Sequence, residues 1–242
     1  MYLESNGYGS THKLMTPKLI VVFYQEEQGA VHPYKIPISQ DDAGGYVLGA
    51  PIQGTARDVQ VMRSCLEGGM TLLHEHVLYA GLGVLMWWVP AGRAPLHFLS
   101  KIKEASSIEA LNGRPVPQPP LLMLLQGRTL RVFALQENKR PTMTTRLYKA
   151  PYWNMFADGK MCTGTVKIPD VIDPQKPEDI TRLFFQSNFS GASRQSISNY
   201  PASHQEMWQE ADRRDSFDPA WLMEEPRITT IKELMTCTTP TR

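Results

Sequence analysis

Leu121–Leu135 reads LLMLLQGRTLRVFAL. Leu121 to Leu125 is an apolar run of strand length, Gln126-Gly127-Arg128 is a turn, and Thr129 to Leu135 is a second run of strand formers, so the segment is a β-hairpin. Upstream, Gly83 to Val89 (GVLMWWV) has the same character. It is followed by Pro90-Ala91-Gly92 and then Pro95 to Leu99, a spacing that predicts another hairpin. Ser100 to Leu111 predicts a short helix ended by Asn112-Gly113. Downstream, Arg140-Pro141 stops the hairpin and Thr142 to Tyr148 predicts one more strand. The middle of the chain is therefore an antiparallel meander, with none of the strand–helix alternation that builds a parallel sheet.

The flanks differ from the centre. Leu19 to Tyr24 (LIVVFY) and Val31 to Ile38 predict a paired hairpin across Gln25–Gly29, followed by a loop at Asp41–Gly45. Thr55 with Asp58 three residues later predicts a helix start, with Val59, Met62, Cys65 and Leu66 on one face and Gly68-Gly69 at the end. After Pro169 the pattern turns helical. Pro177 suits a first helical position, with Ile180, Leu183 and Phe184 as an apolar stripe. Ser203-His204-Gln205-Glu206 is a capping box opening a helix to about Arg214, with Trp208 and Ala211 inward, and Thr230 predicts a last short helix. Trp87 and Trp88 are adjacent in a strand and must face opposite sides.

Composition narrows the function. Lys and Arg number 25 against 24 Asp and Glu, a formal charge of +1, which gives no electrostatic case for nucleic acid or an anionic membrane as partner. Three cysteines, Cys65, Cys162 and Cys237, lie far apart with no CxxC pair, so the expectation is reduced thiols in a cytoplasmic protein rather than a disulfide framework or a zinc site. The apolar runs are strand-sized and the first residues lack a leader's apolar stretch. His74-Glu75-His76 has no convincing third ligand, and nothing in the chain calls for a metal or another cofactor.

The segment that carries chemistry is Tyr148–Pro169, YKAPYWNMFADGKMCTGTVKIP. Asn154 stands eight residues before Cys162, Asp158-Gly159 forms a tight-turn pair just ahead of it, and Met161 immediately precedes it. Transfer of an acyl group between thiols is nearly thermoneutral; it needs an exposed thiolate, good positioning and a donor for the tetrahedral oxyanion. Cys162 after a turn can supply the first, and the Asn154 carboxamide the last. An Asn cannot act as a base, so the pair suits transfer better than hydrolysis.

This segment resembles the active site of ubiquitin-conjugating enzymes, where a His-Pro-Asn triplet precedes a short loop, a Gly, an apolar residue and the catalytic Cys at these intervals. Tyr152 and Trp153 stand in place of His and Pro, a departure that touches loop geometry more than chemistry. The wider pattern, WWVPAGR, PLLML, APYWN, ADGKMCTG and FFQSNFS, is similar to the prokaryotic family D of ubiquitin-conjugating-like proteins found in PRTRC systems of mobile elements. The resemblance implies an α+β fold: a ubiquitin-conjugating-enzyme-like antiparallel β-meander flanked by helices, with an N-terminal β-hairpin and helix extension. It places an extension packed on the core at 1–80, the core at 81–200 and a helical tail at 201–242. It implies Cys162 and Asn154 as catalytic, and Tyr152, Trp153, Asp158 and Gly159 as site-shaping. Its implied partners are a ubiquitin-like modifier protein, a ThiF-type activating enzyme and a JAB-type metallopeptidase.

Two other readings fit the residues. The fold can bind a ubiquitin-like protein or scaffold an assembly without catalysis. A cysteine hydrolase would need His97 or His204 as base, and neither lies within the motif. For the conjugating reading, the sequence does not identify the residue that serves an incoming lysine; Asp170 and Asp173 are candidates near the site.

Overall fold

The computed structural model describes residues 17, 19–27, 31–55, 57–59, 62, 72–81, 83–98, 109–164, 166–169, 172–191, 193–194 and 196–238. They fall into two compact units divided between Gly69 and Met70. In the first unit, β1 (Leu19–Gln25) pairs antiparallel with β2 (Val31–Gln40) from Leu19↔Pro37 to Gln25↔Val31. β2 also pairs with β3 (Tyr46–Leu48) and β4 (Ile52–Gln53). The loop between β2 and β3 turns on Asp41, whose Oδ1 accepts from the Gly45 amide at 2.7 Å. At the expected helix start, the Thr55 amide donates to Asp58 Oδ2 at 2.8 Å and the Asp58 amide to Thr55 Oγ1 at 3.3 Å. The Asp58 carboxylate also pairs with Lys35 Nζ at 2.8 Å, and that bond is the main reason its pKa lies far below the usual carboxylate range. Cys65 and Leu66 lie outside the described residues.

The second unit is built on a five-stranded sheet. Its strands are β5 (Val77–Gly81), β6 (Val84–Val89), and, later in the chain, β10 (Leu121–Gln126), β11 (Thr129–Ala134) and β12 (Tyr148–Lys149). The order is β12-β11-β10-β6-β5, a meander of antiparallel neighbours. The β10–β11 hairpin forms in the expected register, Leu121↔Ala134 to Gln126↔Thr129. Gly127 takes φ 56° at the first central turn position, where a two-residue hairpin loop of the II′ kind requires a residue free of a Cβ.

β10 is the central strand, and Leu121 to Leu125 are each 0–1 % exposed. Their side chains alternate between two cores. Leu121, Met123 and Leu125 join Leu85, Trp87, Leu130 and Val132 in the larger one, and Leu122 and Leu124 join Met86, Phe133 and Leu147 in the smaller. Full burial contributes about 1.5–3 kcal/mol per large apolar side chain, which is why this strand carries no polar face. Trp87 and Trp88 divide between the two sides as their adjacency requires, and Trp87 Nε1 donates to Thr181 Oγ1 at 2.9 Å.

The expected hairpin between Gly83–Val89 and Pro95–Leu99 does not form. Both edges of β6 are occupied, by β5 and by β10, so the following chain finds no ladder there. It leaves as an arm instead. β7 (Gly92–Pro95) pairs with β9 (Pro115–Gln118), and β8 (His97–Phe98) pairs parallel with β13 (Asn188–Phe189). Of the expected helix from Ser100, only Glu109–Leu111 lies in the described residues, as a single 3-10 turn. The expected strand from Thr142 shrinks to β12. Thr142 to Thr145 form a turn, in which the Thr142 amide donates to Thr145 Oγ1 at 2.8 Å, because threonine hydroxyls compete with a ladder.

Among the described residues three α-helices pack into the two cores of the sheet. α1 (Pro177–Phe185) buries Ile180, Phe184 and Phe185. α2 (His204–Arg214) opens with the expected capping box of Ser203 and Glu206 and buries Met207, Trp208 and Ala211. α3 (Ile231–Thr238) places Ile231 and Leu234 in the smaller core, with Thr230 Oγ1 accepting from the Glu233 amide at 3.3 Å. The fold is thus the expected α+β meander flanked by helices, with a hairpin and a helix start ahead of it. Among the described residues no helix is long and apolar enough to cross a membrane.

Candidate active site

Asn154 and Cys162 are the two ends of one tight hairpin. The Cys162 amide donates to the Asn154 carbonyl at 2.7 Å, Met155 bridges Met161, and the Phe156 amide donates to the Lys160 carbonyl at 2.8 Å. Gly159 closes the turn at φ 76°, and a Cβ there would stand 2.6 Å from the Phe133 ring. The returning arm docks on the stretch of β11 that β12 leaves uncovered: the Met161 amide donates to the Leu130 carbonyl at 2.8 Å and the Val132 amide to the Gly159 carbonyl at 2.9 Å. Met161 is buried in the larger core and Cys162, next along, is exposed.

Asp158 organises the turn. Its Oδ1 accepts from the Lys160 amide at 3.2 Å, and its Oδ2 lies 2.9 Å from Lys160 Nζ. Burial pulls this carboxyl upward, but the Lys160 bonds outweigh it and hold it below the usual range.

Asn154 has φ 58°, a left-handed conformation that Asn tolerates better than most residues. It is 9 % exposed, and its carboxamide faces the segment around β13. Nδ2 donates to the Asn188 carbonyl at 2.8 Å; Oδ1 accepts from the Ser190 amide at 3.1 Å and from Ser190 Oγ at 2.9 Å. Its own amide donates to the Gly191 carbonyl at 2.9 Å. Both ends of the carboxamide are therefore held, Nδ2 through one of its two N–H groups, and the side chain organises the loop.

Tyr152 and Trp153 are buried anchors. Tyr152 stacks between Phe189 and Trp208, with ring centroids at 5.7 and 5.6 Å, and its hydroxyl donates to Gln118 Oε1 at 2.7 Å. Burial raises that phenol well above its ordinary pKa. Trp153 meets Phe98 edge-on at 5.4 Å and stacks on His204 at 5.3 Å. Both anchors thus lean on the arm between β6 and β10, through Gln118 and Phe98.

Arg194 clamps the same loop at both ends. Its Nη2 donates to the Ala150 carbonyl at 2.8 Å and its Nη1 to the Phe156 carbonyl at 3.3 Å. Behind it stands Glu225 at 3.5 Å, with side chains 5 % and 0 % exposed. Burial raises the Glu225 carboxyl, and the Arg194 charge opposes that rise.

His204 is unsuited to act as a base. Burial pushes its pKa down to about 3, and its Nε2 lone pair already accepts from Trp208 Nε1 at 3.0 Å. His97 lies on β8, paired through its backbone with Asn188. Asp173 turns the chain ahead of α1, its Oδ1 accepting from the Gln175 amide at 2.9 Å, and Asp170 lies outside the described residues. Sequence reading did not single out Ser190, Arg194, Glu225 or Gln118. Asn188-Phe189-Ser190 enters the sequence reading only within the FFQSNFS stretch, and nothing local marks the other three.

The antiparallel meander thus ends on β12 and is followed by a hairpin that docks on β11 and closes on an exposed cysteine. A family model described as Prokaryotic E2 family D matches residues 59–222, and the chain belongs to that family. No curated protein and no solved structure matches the chain. Membership supports a transferase-type role in a ubiquitin-like system.

Proposed function

We propose that the protein accepts a ubiquitin-like modifier from a ThiF-type activating enzyme as a thioester on Cys162 and passes it to an amine. The observation that carries this reading is an exposed Cys162 hydrogen-bonded through its backbone to Asn154, in a chain of this family. The Cys162 thiolate attacks the carbonyl of the modifier's terminal glycine, and the activating enzyme's thiolate leaves. An amine then attacks the Cys162 thioester and the Cys162 thiolate leaves. Asn154 Nδ2 would steady the oxyanion after release from the Asn188 carbonyl, while Tyr152, Trp153, Asp158 and Gly159 hold the loop. A JAB-type metallopeptidase would remove or mature the modifier.

The test mixes the protein with ATP, a ubiquitin-like modifier and a ThiF-type activating enzyme. A thiol-sensitive adduct is expected, lost in Cys162→Ala and replaced by a more durable oxyester in Cys162→Ser. An adduct that survives Cys162→Ala ends the assignment.

The structural bonds that already hold the Asn154 carboxamide favour a second reading, a non-catalytic module that binds the modifier or scaffolds its assembly. It requires stable binding of the modifier with no adduct on Cys162 in the same mixture.

A further inference from the structure

The four strands of the first unit lie before residue 59, where the family match begins. Among the described residues of that unit none is buried, and Leu19, Phe23, Tyr24 and Val31 are 49–56 % exposed. β1 is an edge strand: among the described residues it pairs with β2 alone. Which of its backbone groups are left over follows from β2. The Pro33 carbonyl accepts from the Gly54 amide at 2.7 Å and the Pro37 carbonyl from the Gly49 amide at 2.8 Å, so the odd-numbered residues of β2 point their backbone away from β1. The even-numbered ones therefore serve β1, opposite Ile20, Val22 and Tyr24. Leu19, Val21, Phe23 and Gln25 are left directing N–H and C=O outward. An edge of this kind is ordinarily blunted by a proline, a charge or a bulge. β1, LIVVFYQ, has no proline and no charge, and its register with β2 runs without a bulge.

We propose that this edge is a dimer interface, at which β1 pairs antiparallel with β1 of a second copy about a two-fold axis at Val22. Leu19 of one copy then faces Gln25 of the other, and Val21 faces Phe23, so every outward N–H and C=O of the strand finds a partner. Moving the axis by a residue in either direction leaves one end of β1 unpaired. The side chains match in the same register. Tyr24 comes beside Ile20 on one face and Phe23 beside Val21 on the other, aromatic-on-aliphatic pairs of the kind that stabilise sheets. Charge agrees with it. The strand is neutral, the register sets Lys18 against Glu26 in sequence, and a formal charge of +1 gives two copies little mutual repulsion. The pairing is isologous and occupies the whole edge, so it closes at two copies. Seven residues make a ladder only about 24 Å long, which puts the contact among the small interfaces that form and separate readily. The inference does not depend on the chemistry at Cys162.

The test is sedimentation equilibrium of the full chain over a range of concentrations. The mass should rise reversibly from 27.3 kDa toward twice that value and stop there. Val21→Pro removes an outward N–H while leaving the bonds to β2, and by symmetry two ladder bonds are lost. The dissociation constant should rise about tenfold or more. Phe23→Lys touches no bond of the β1–β2 hairpin and should also weaken the dimer. Val22→Cys puts a thiol on the axis, at a closely spaced pair that shares no hydrogen bond. Oxidation with copper phenanthroline should then join residue 22 to residue 22 of the second copy, as read by peptide mapping. A chain that stays at 27.3 kDa throughout, a dimer indifferent to both Val21→Pro and Phe23→Lys, or an absent 22-to-22 link overturns the proposal. So do oligomers that keep growing with concentration. Mass gained only on adding a ubiquitin-like modifier, and lost in Val21→Pro, overturns it too and gives the edge to the modifier.

Discussion

The carbonyl of Asn154 receives the amide of Cys162 at 2.7 Å, while the Asn154 side chain reaches the other way and is held by Asn188 and Ser190. One residue thus ties the cysteine hairpin to the segment around β13. The coupling makes separate tests of fold and chemistry possible.

Replacing Asn154 tests both roles. Asn154→Ala removes three side-chain hydrogen bonds and places alanine at φ 58°, so it should destabilise by roughly 2–4 kcal/mol in urea unfolding. Asn154→Gly relieves the backbone part and should recover about 1 kcal/mol. Ser190→Ala removes only the hydroxyl bond and should cost about 1 kcal/mol. If the carboxamide also serves the transfer, Asn154→Gly slows discharge of the Cys162 thioester more than its formation, whereas Ser190→Ala leaves discharge intact or faster.

Gly159→Ala meets two obstacles, a left-handed backbone and the Phe133 ring at 2.6 Å. The expected loss is about 2–4 kcal/mol by chemical denaturation. Combining it with Phe133→Leu should recover the steric share and leave the backbone share, and a strictly additive double variant contradicts the contact.

Stability should fall in acid through His204. Its pKa drops from 6.5 to about 3 in the folded protein, so below pH 6.5 the unfolded chain binds a proton that the native state refuses. The contribution is complete above pH 6.5 and is lost as pH falls toward 3, by up to about 1.4 kcal/mol per unit. His204→Gln should flatten the decline between about pH 6 and about pH 4 relative to the parent protein, read from urea midpoints. Parallel declines would show that His204 is not the group responsible.

The Arg194–Glu225 pair should behave as a buried unit. Glu225→Gln or Arg194→Met alone leaves its partner's charge buried and should cost about 3–5 kcal/mol. The double variant should cost less than the sum, and Arg194→Met should also loosen the loop by freeing the Ala150 and Phe156 carbonyls. Hydrogen exchange across 150–156 reads the second effect.

What could be seen beforehand depended on how local the cause was. The β10–β11 hairpin, the Ser203 cap and the inward Trp208 announce themselves within a few residues, through turn chemistry and periodicity. The Asn154–Cys162 spacing is legible for the same reason: a hairpin fixes it. The arm after β6 was misjudged because pairing with β9 and β13 is decided by which edges are already taken, a property of the assembled sheet. β5 escaped notice, for Val77–Gly81 is short and pairs with a bulge between Val77 and Tyr79. Arg194 and Glu225 carry charges, and charged residues default to the surface. Only the folded loop shows that these two are interior.

The aromatic pair Tyr152–Trp153 changes what stiffens the reactive turn. A proline restrains its neighbours covalently, and that restraint persists in a melted chain. Here the restraint is made of ring volume shared with Phe98, Phe189 and Trp208, which exists only while the interior is solid. Heating should therefore not soften the cysteine's surroundings ahead of everything else. The ordered cysteine loop and the native fold should be lost together, at one temperature.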